Sequence, residues 1–205
     1  KCPTKRSSAF RSFRITSDQE WEECLLLCKD DNERAVLHVL RAESEDAKLV
    51  EEMRHIYHYE PTNENLELLL LREIKRLEKD LLGLDFNNRR RQNERLYNIP
   101  RPGSGEKVIE LQKFIRKIED ENRVKRPEIW KLAEGYLELL AGNYYFAAQS
   151  FSEVRNLTQN DTLLNQLSAL ELALQISDWA EASDEVEEQA ADIQRTNRSY
   201  RLYPD

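Results

Sequence analysis

Glycine, proline and methionine are scarce in this chain. Its 205 residues include 5 Gly, 6 Pro and a single Met, Met53. Gly and Pro form most turns and helix ends. Their low number therefore disfavours a sandwich or barrel, in which turns connect many short strands. The charged share of 34% and the hydrophobic share of 40% are typical of long amphipathic helices. The composition therefore predicts an all-α fold.

Long apolar runs and an excess of positive charge are also missing. The longest apolar run, Leu68 to Leu71, is far too short to cross a bilayer. Lys and Arg number 31 against 39 Asp and Glu, which gives a net charge of -8. This charge argues against a nucleic-acid-binding surface, because neutralising phosphates requires a basic face. The composition therefore disfavours nucleic acid as a partner and predicts no membrane-spanning segment.

Cysteine is too rare for a disulfide framework. Cys24 and Cys28 stand four residues apart on the apolar face of a predicted helix, where disulfide geometry is poor and zinc spacing is absent. We expect both to be buried, reduced thiols. An acidic, disulfide-poor helical chain fits the cytoplasm. The start at Lys1-Cys2-Pro3, without Met, indicates a processed product or a piece of a longer protein and leaves a bacterial periplasm or cell envelope open.

Residues 1–82 are predicted to form N-terminal helical hairpins. Ser17 and Glu20 form a capping box, in which side chains satisfy the first free backbone amides of a helix. Ser44 is predicted to open the third helix, and Gly83 to end the fourth. The apolar faces of the four helices are expected at Trp21, Cys24, Leu25 and Cys28; at Ala35, Val36, Val39 and Leu40; at Ala47, Val50, Met53 and Tyr57; and at Leu66, Leu70, Ile74, Leu77 and Leu81.

Residues 83–105 are predicted to be a loop or linker between two helical parts. The segment contains Pro100 and Pro102 and lacks an apolar period. It also carries Arg89-Arg90-Arg91, the only basic cluster against the acidic background. Guanidinium groups match phosphate or carboxylate oxygens, so the cluster could contact an acidic partner, or it could be a solvated loop. The sequence leaves its role open.

Residues 106–205 carry the most informative pattern. A fifth helix is predicted from Ser104, and Pro127 suits the first turn of a sixth, where its missing amide hydrogen would have no partner. A polar turn followed by an aromatic residue, then an Ala three residues later, occurs twice at an interval of 178 − 143 = 35 residues. The two copies are Gly142-Asn143-Tyr144-Tyr145-Phe146-Ala147 with Phe151, and Ser177-Asp178-Trp179-Ala180-Glu181-Ala182 with Val186.

This pattern resembles the tetratricopeptide (TPR) repeat, whose period is about 34 residues, best over residues 127–191. The resemblance implies antiparallel helix pairs stacked as a short TPR-like α-solenoid. Such pairs approach closely where small side chains meet, so we expect Gly135 to face Ala147, with Tyr144 and Phe151 beside them. In the second pair, Ala169 or Ala173 would face Ala182.

The resemblance also implies a function: a scaffold for protein-protein interaction, whose partner is another protein or a peptide. From the start of the chain and the lack of catalytic motifs, we further expect it to be part of a larger protein, with neither catalysis nor a cofactor. Solenoids of this kind bind partners on a concave face lined by the first helix of each pair. Here those helices are predicted at Glu128–Ala141 and Leu163–Ile176. The side chains expected to point away from the hairpin partner and toward a bound protein are Lys131, Glu134, Glu138, Gln166 and Glu171.

One alternative comes from the histidines. His55 and His58 are three residues apart on a predicted helix, with Glu60 nearby, so a helical domain could use them to bind a metal or another ligand. The usual role of such residues is a surface or half-buried one. The chain has no Gly-rich phosphate loop, no G-x-S-x-G and no H-E-x-x-H, so the sequence offers no catalytic motif beside this possible site.

Overall fold

The computed structural model describes residue 15 and residues 17–44, 46–82 and 102–178. Within these ranges the chain forms α-helices and no strand, which confirms the predicted all-α class of antiparallel helix pairs. The eight helices are α1 (Asp18–Leu27), α2 (Asp31–Ala42), α3 (Leu49–Tyr59), α4 (Asn65–Leu82), α5 (Ser104–Glu121), α6 (Pro127–Leu140), α7 (Tyr144–Leu157) and α8 (Asp161–Asp178).

The chain divides into two compact units, Lys1–Phe114 and Ile115–Asp205, and the division falls within α5. Of the predicted linker at 83–105, residues 83–101 lie outside the described residues. Residues 102 and 103 form a turn, and α5 starts at Ser104 as expected. The Arg89–Arg91 cluster is likewise outside the described part. A domain boundary at 83–105 therefore stays a prediction.

The first unit is built from helices with clear capping signals. The Ser17 hydroxyl accepts the backbone N–H of Glu20, as the capping box predicts, and the Asp30 carboxylate accepts that of Glu33 at the start of α2. α2 packs on α3, and α3 packs on α4. The buried apolar side chains of this unit include Ala35, Val39, Ala42, Leu49, Val50, Met53, Ile56, Tyr57, Leu66, Leu69, Leu70, Ile74, Leu77, Val108, Leu111 and Phe114.

Two details of the first unit differ from the sequence prediction. α3 begins at Leu49 and not at Ser44: the Ala47 amide donates to the Ser44 carbonyl at 3.3 Å, a turn-type hydrogen bond that precedes the helix. The buried face of α2 includes His38 where the pattern indicated Val36, which is 38% exposed. A periodicity argument counts histidine as polar. Because His38 is buried against α3, the buried face of α2 therefore differs from the predicted one.

The second unit contains the α6–α7 hairpin and α8. Pro127 lies in the first turn of α6, as predicted. The connection to α7 bends at Gly142, whose φ of +77° is a conformation that favours glycine, and it is closed by the Asn143 amide donating to the Glu138 carbonyl at 2.9 Å. The core between α6, α7 and α8 consists of Leu132, Ala147, Phe151, Val154 and Leu167.

The close approach of α6 and α7 is at Gly135, but its partner differs from the predicted one. A Cβ on Gly135 would lie 2.7 Å from two ring carbons of Phe151 and 3.0 Å from the Ser150 Cβ. Gly135 therefore faces Phe151 directly, about one turn further along α7 than Ala147. Ala147 is fully buried in the core cluster instead.

The end of α8 also differs from the prediction. Ser177 and Asp178, expected to form a turn, are the last two residues of this helix. The second aromatic-Ala element, from Trp179 to Val186, lies outside the described residues, as does the expected contact with Ala182. Among the helices described, none combines the length and the apolarity required to cross a membrane.

Candidate functional site

Three of the predicted partner-binding residues lie together, in a network of charges within the second unit. The Lys131 ammonium on α6 is 2.9 Å from a carboxylate oxygen of Glu119 on α5 and 2.9 Å from one of Glu134. It is also 3.3 Å from a carboxylate oxygen of Glu153 on α7. The Lys131 side chain therefore links three helices of its own unit.

Glu134 and Glu138 extend this network. Both carboxylates pair with Arg116 of α5. Glu134 accepts the Ser150 hydroxyl of α7, and Glu138, only 4% exposed, accepts the Asn143 side-chain amide at 2.7 Å. The expectation that these residues point away from the hairpin partner is therefore wrong. Periodicity places a charged residue on a helix face, but it does not show that a neighbouring helix satisfies the charge.

The network changes the acid–base properties of its members. Burial opposes the charged form of Lys131, but the hydrogen bonds to Glu119 and Glu134 outweigh it and raise the pKa of Lys131 above its ordinary value. Burial raises the pKa of Glu119, and the hydrogen bond from Lys131 only partly offsets it. These charges hold α5, α6 and α7 together.

The remaining two predicted residues lie on α8 and are not part of the network. Gln166 is exposed. Glu171 is half-buried and forms an ion pair with Arg155 of α7. Of the five predicted residues, Gln166 is thus the one whose side chain is most open to solvent. Partner binding by this set stays a prediction.

The alternative site at His55, His58 and Glu60 is not assembled. Within the described ranges, the His, Cys, Asp and Glu side chains form no group of three or more that could hold a metal. His58 instead contacts the edge of the Tyr59 ring, and Glu60 accepts the side-chain amide of Asn63 at 2.6 Å. His55 stacks on His38 of α2, with ring centroids 4.5 Å apart.

His38 is the centre of a buried polar cluster that the sequence analysis missed. Its Nδ1 lies 2.8 Å from Glu52 of α3, and the second carboxylate oxygen of Glu52 accepts the Arg41 Nε–H at 2.6 Å. His38 is 2% exposed and Glu52 is 3% exposed. A signal was present: Glu52 lies within the apolar stripe of α3, between Leu49 and Ile56. A polar residue in such a position predicts a buried pair.

The pKa values of the cluster reflect this arrangement. Burial alone would raise the pKa of Glu52, but the hydrogen bonds from His38 and Arg41 outweigh it and hold the pKa below its ordinary value. Burial, together with the neighbouring His38, lowers the pKa of His55. Packing by Trp21, His55 and Tyr59 closes off the His38 ring. The cluster therefore acts as a structural link between α2 and α3.

This cluster also anchors α1. Trp21 is the one buried residue of that helix. Its ring lies 4.0 Å below the Arg41 guanidinium carbon, and its edge contacts His38 with ring centroids 5.1 Å apart. A cation–π contact of this kind stabilises by about 0.5–2 kcal/mol. The rest of α1 packs loosely, with Leu26 and Leu27 84% and 80% exposed.

An open groove of about 330 Å³ lies between α1 and α2. The predicted burial of Cys24 and Cys28 is only partly realised: both are free thiols, half-buried in its wall, and Cys28 follows the end of α1. Burial and the nearby Glu33 carboxylate raise the pKa of the Cys28 thiol. The groove is lined by Cys24, Leu27, Cys28, Asn32, Glu33, Val36 and Leu37.

The apolar lining has an origin in the sequence. Leu25, Leu26 and Leu27 occupy successive positions, which a helix spreads over about 200° of its circumference. No single neighbouring helix can cover all three. This region is therefore the described part of the first unit where large apolar side chains remain most open to solvent.

Comparison with protein-family profiles, with curated protein sequences and with solved structures gives no match for this chain.

Proposed function

We propose that this chain is a protein-interaction scaffold of TPR-like helix pairs. The observation that carries the proposal is the α1–α2 groove, with Leu26 and Leu27 exposed beside it. Burying a leucine side chain contributes about 1.5–3 kcal/mol, and exposed apolar surface of this kind is typical of binding sites for other proteins. A groove lined mostly by Leu, Val and Cys favours binding over chemistry.

Helix spacing supports the TPR-like part of the proposal. α6 begins at Pro127 and α8 at Asp161, an interval of 161 − 127 = 34 residues. α2 begins at Asp31 and α4 at Asn65, again 65 − 31 = 34 residues. This interval equals the length of a tetratricopeptide repeat. In both places, the first helix packs on the one that follows it, as in a repeat pair.

The proposal includes two candidate surfaces. The first is the groove. The second is the predicted set on α6 and α8, on which Gln166 is the exposed position and Lys131, Glu134, Glu138 and Glu171 are already paired. A partner would have to replace those ion pairs to use the second surface, which costs free energy. Burying the apolar side chains of the groove, Leu27, Val36 and Leu37, breaks no ion pair.

A capture experiment tests the proposal. The intact chain is immobilised, bound proteins are recovered from an extract of the source cells, and the same is done with Leu27→Ser and with Gln166→Lys. Both substitutions lie on exposed side chains and should leave folding unchanged. We expect a partner that the Leu27→Ser variant loses and the Gln166→Lys variant keeps.

Loss with Gln166→Lys alone would support a scaffold that uses the second surface. Recovery of no specific partner by the intact chain, in extract and after mild chemical cross-linking, would contradict the scaffold proposal. Circular dichroism of each variant confirms that helix content is the same before the comparison is made.

A further inference from the structure

The chemistry of the α1–α2 groove restricts what can bind there. Both walls are helices, whose backbone N–H and C=O groups are used within the helix, so an extended peptide would find no strand edge to pair with. The backbone N–H and C=O groups of the extended peptide would lie against leucine and cysteine side chains, without hydrogen-bond partners. A helical segment satisfies its backbone internally and can present apolar side chains to the groove.

The charge around the groove restricts the partner further. α1 carries Asp18, Glu20, Glu22 and Glu23 and has no Lys or Arg. Spacings of three and four residues place Glu20 and Glu23 along the same face as Cys24 and Leu27. The one charged residue in the lining is Glu33. The border that α1 gives to the apolar floor is therefore acidic, while Arg34 on the α2 side is paired with Asp31 at 2.6 Å.

We infer that the α1–α2 groove binds an amphipathic helix with basic flanks, contributed by another protein. The inference rests on the proposed function and names the chemistry of the partner. Leu and similar side chains at positions i, i+3 or i+4 of the bound helix enter the groove, where Leu27 and Val36 receive them. Lys or Arg on its borders pair with the carboxylates of Glu23 and Glu33, in addition to the N–H groups that these accept from Gln19 and Lys29.

A display selection tests the inference. Random peptides of about 15 residues, long enough for four helical turns, are selected against the intact chain. We expect enriched sequences with a net positive charge and apolar residues at helical spacing. Synthetic copies of the enriched peptides should gain helix content on binding, which circular dichroism measures. Copies in scrambled order, with equal charge, should bind at least about tenfold more weakly.

The location is tested with a matched pair of variants. Leu27→Lys removes an apolar wall and adds a repelling charge, and we expect it to weaken binding of the selected peptides about tenfold or more. Leu68→Lys makes the same change at a side chain 65% exposed on α4 and should have no effect. Cys24 lies in the groove wall, so bound peptide should slow its alkylation by maleimide, whereas an equal concentration of scrambled peptide should not.

Several outcomes would overturn the inference. Acidic or extended consensus peptides would contradict the chemistry, and equal binding by the Leu27→Lys variant with unchanged Cys24 alkylation would contradict the location. Residues 1–16 carry five basic residues and no acidic ones. Cross-links from Lys1 or Lys5 to Glu23 or Glu33 in the peptide-free chain would therefore assign the groove to this segment and not to a separate protein.

The scaffold proposal can fail or succeed independently of this inference. If extract yields a specific partner and no basic helical peptide is selected, the scaffold proposal stands and the inference falls. If basic helical peptides bind the groove and the extract yields no partner, the chemistry of the groove stands and the scaffold proposal loses its support.

Discussion

Gly135 is the residue whose replacement has the clearest expected effect. Ala is favoured over Gly within a helix by about 1 kcal/mol, but its methyl group would lie 2.7 Å from the buried Phe151 ring. Overpacking of this kind costs about 1–3 kcal/mol, so we expect Gly135→Ala to destabilise the protein. Urea denaturation followed by far-UV circular dichroism measures the change.

Gly105→Ala is the matched control for this substitution. Gly105 lies in the first turn of α5, and nothing within 4 Å would meet its added methyl group. Stability there should be unchanged or slightly higher. If Gly135→Ala were as stable as Gly105→Ala, the close contact between α6 and α7 would not exist.

Glu52 makes stability depend on pH. Its pKa is lower in the folded protein than in the unfolded chain, where it is near 4.5, so the ionised form is favoured by folding. This contribution is complete above the unfolded pKa and is lost as pH falls through the folded value. We expect Glu52→Gln to lower the melting temperature at pH 7, corresponding to about 1–3 kcal/mol, and to reduce the loss of stability on acidification.

Glu51→Gln is the control, because Glu51 is half-exposed and pairs with Lys48, three residues earlier on the surface, at 3.1 Å. Melting temperatures of the wild-type chain and both variants between pH 7 and pH 3 provide the comparison. If the melting temperature of Glu52→Gln fell with pH as steeply as that of the wild type, the buried carboxylate would not stabilise the fold through its charge.

At the scale of a single helix, α1 depends on one side chain. Trp21 is its buried anchor, on Arg41 and His38. We expect Trp21→Ala to release α1, so that its amides exchange with deuterium as in an unfolded segment while those of α2 and α3 stay protected. Leu26→Ala, at a side chain 84% exposed, should leave exchange unchanged. Faster exchange throughout the first unit would indicate that α1 is part of its core.

The sequence predicted most of the helices, because apolar periodicity and capping residues act locally. Ser17, Ser104 and Pro127 each mark a helix start that the structure confirms. The candidate site was harder to predict, since burial depends on which helix faces which. The apolar face of α1 was correctly recognised, but a sequence pattern cannot show that it remains half open as the wall of a groove, with Leu27 80% exposed.

Pairings between helices were the second limit. Glu134 and Glu138 have the periodicity of solvated residues, and the structure pairs both with Arg116 of α5. His38 and Glu52 are 14 residues apart, so no local pattern connects them. Partners of this kind become visible only when the helices are packed.

At the scale of the whole molecule, net charge should affect binding. The chain carries a charge of -8, and α1 concentrates four acidic residues. For a basic helical peptide, attraction between opposite charges accelerates association, and salt screens this attraction. We expect the association rate to fall steeply between 0.01 M and 0.5 M salt, with a much smaller change in the dissociation rate. Stopped-flow fluorescence of a labelled peptide measures both rates, and a rate that does not change with salt would contradict a charged border.

The contact between Gly135 and Phe151 also limits how the sequence can evolve. A residue larger than glycine at position 135 needs space that only a smaller side chain at position 151 can provide, because the ring is 1% exposed and cannot move outward without opening the core. A larger residue at position 135 should therefore occur only together with a smaller one at position 151. A lineage that first replaced Phe151 by Leu would lose some packing, and only then would Ala at position 135 become acceptable. The order of substitutions is thus set by the distance between two helices.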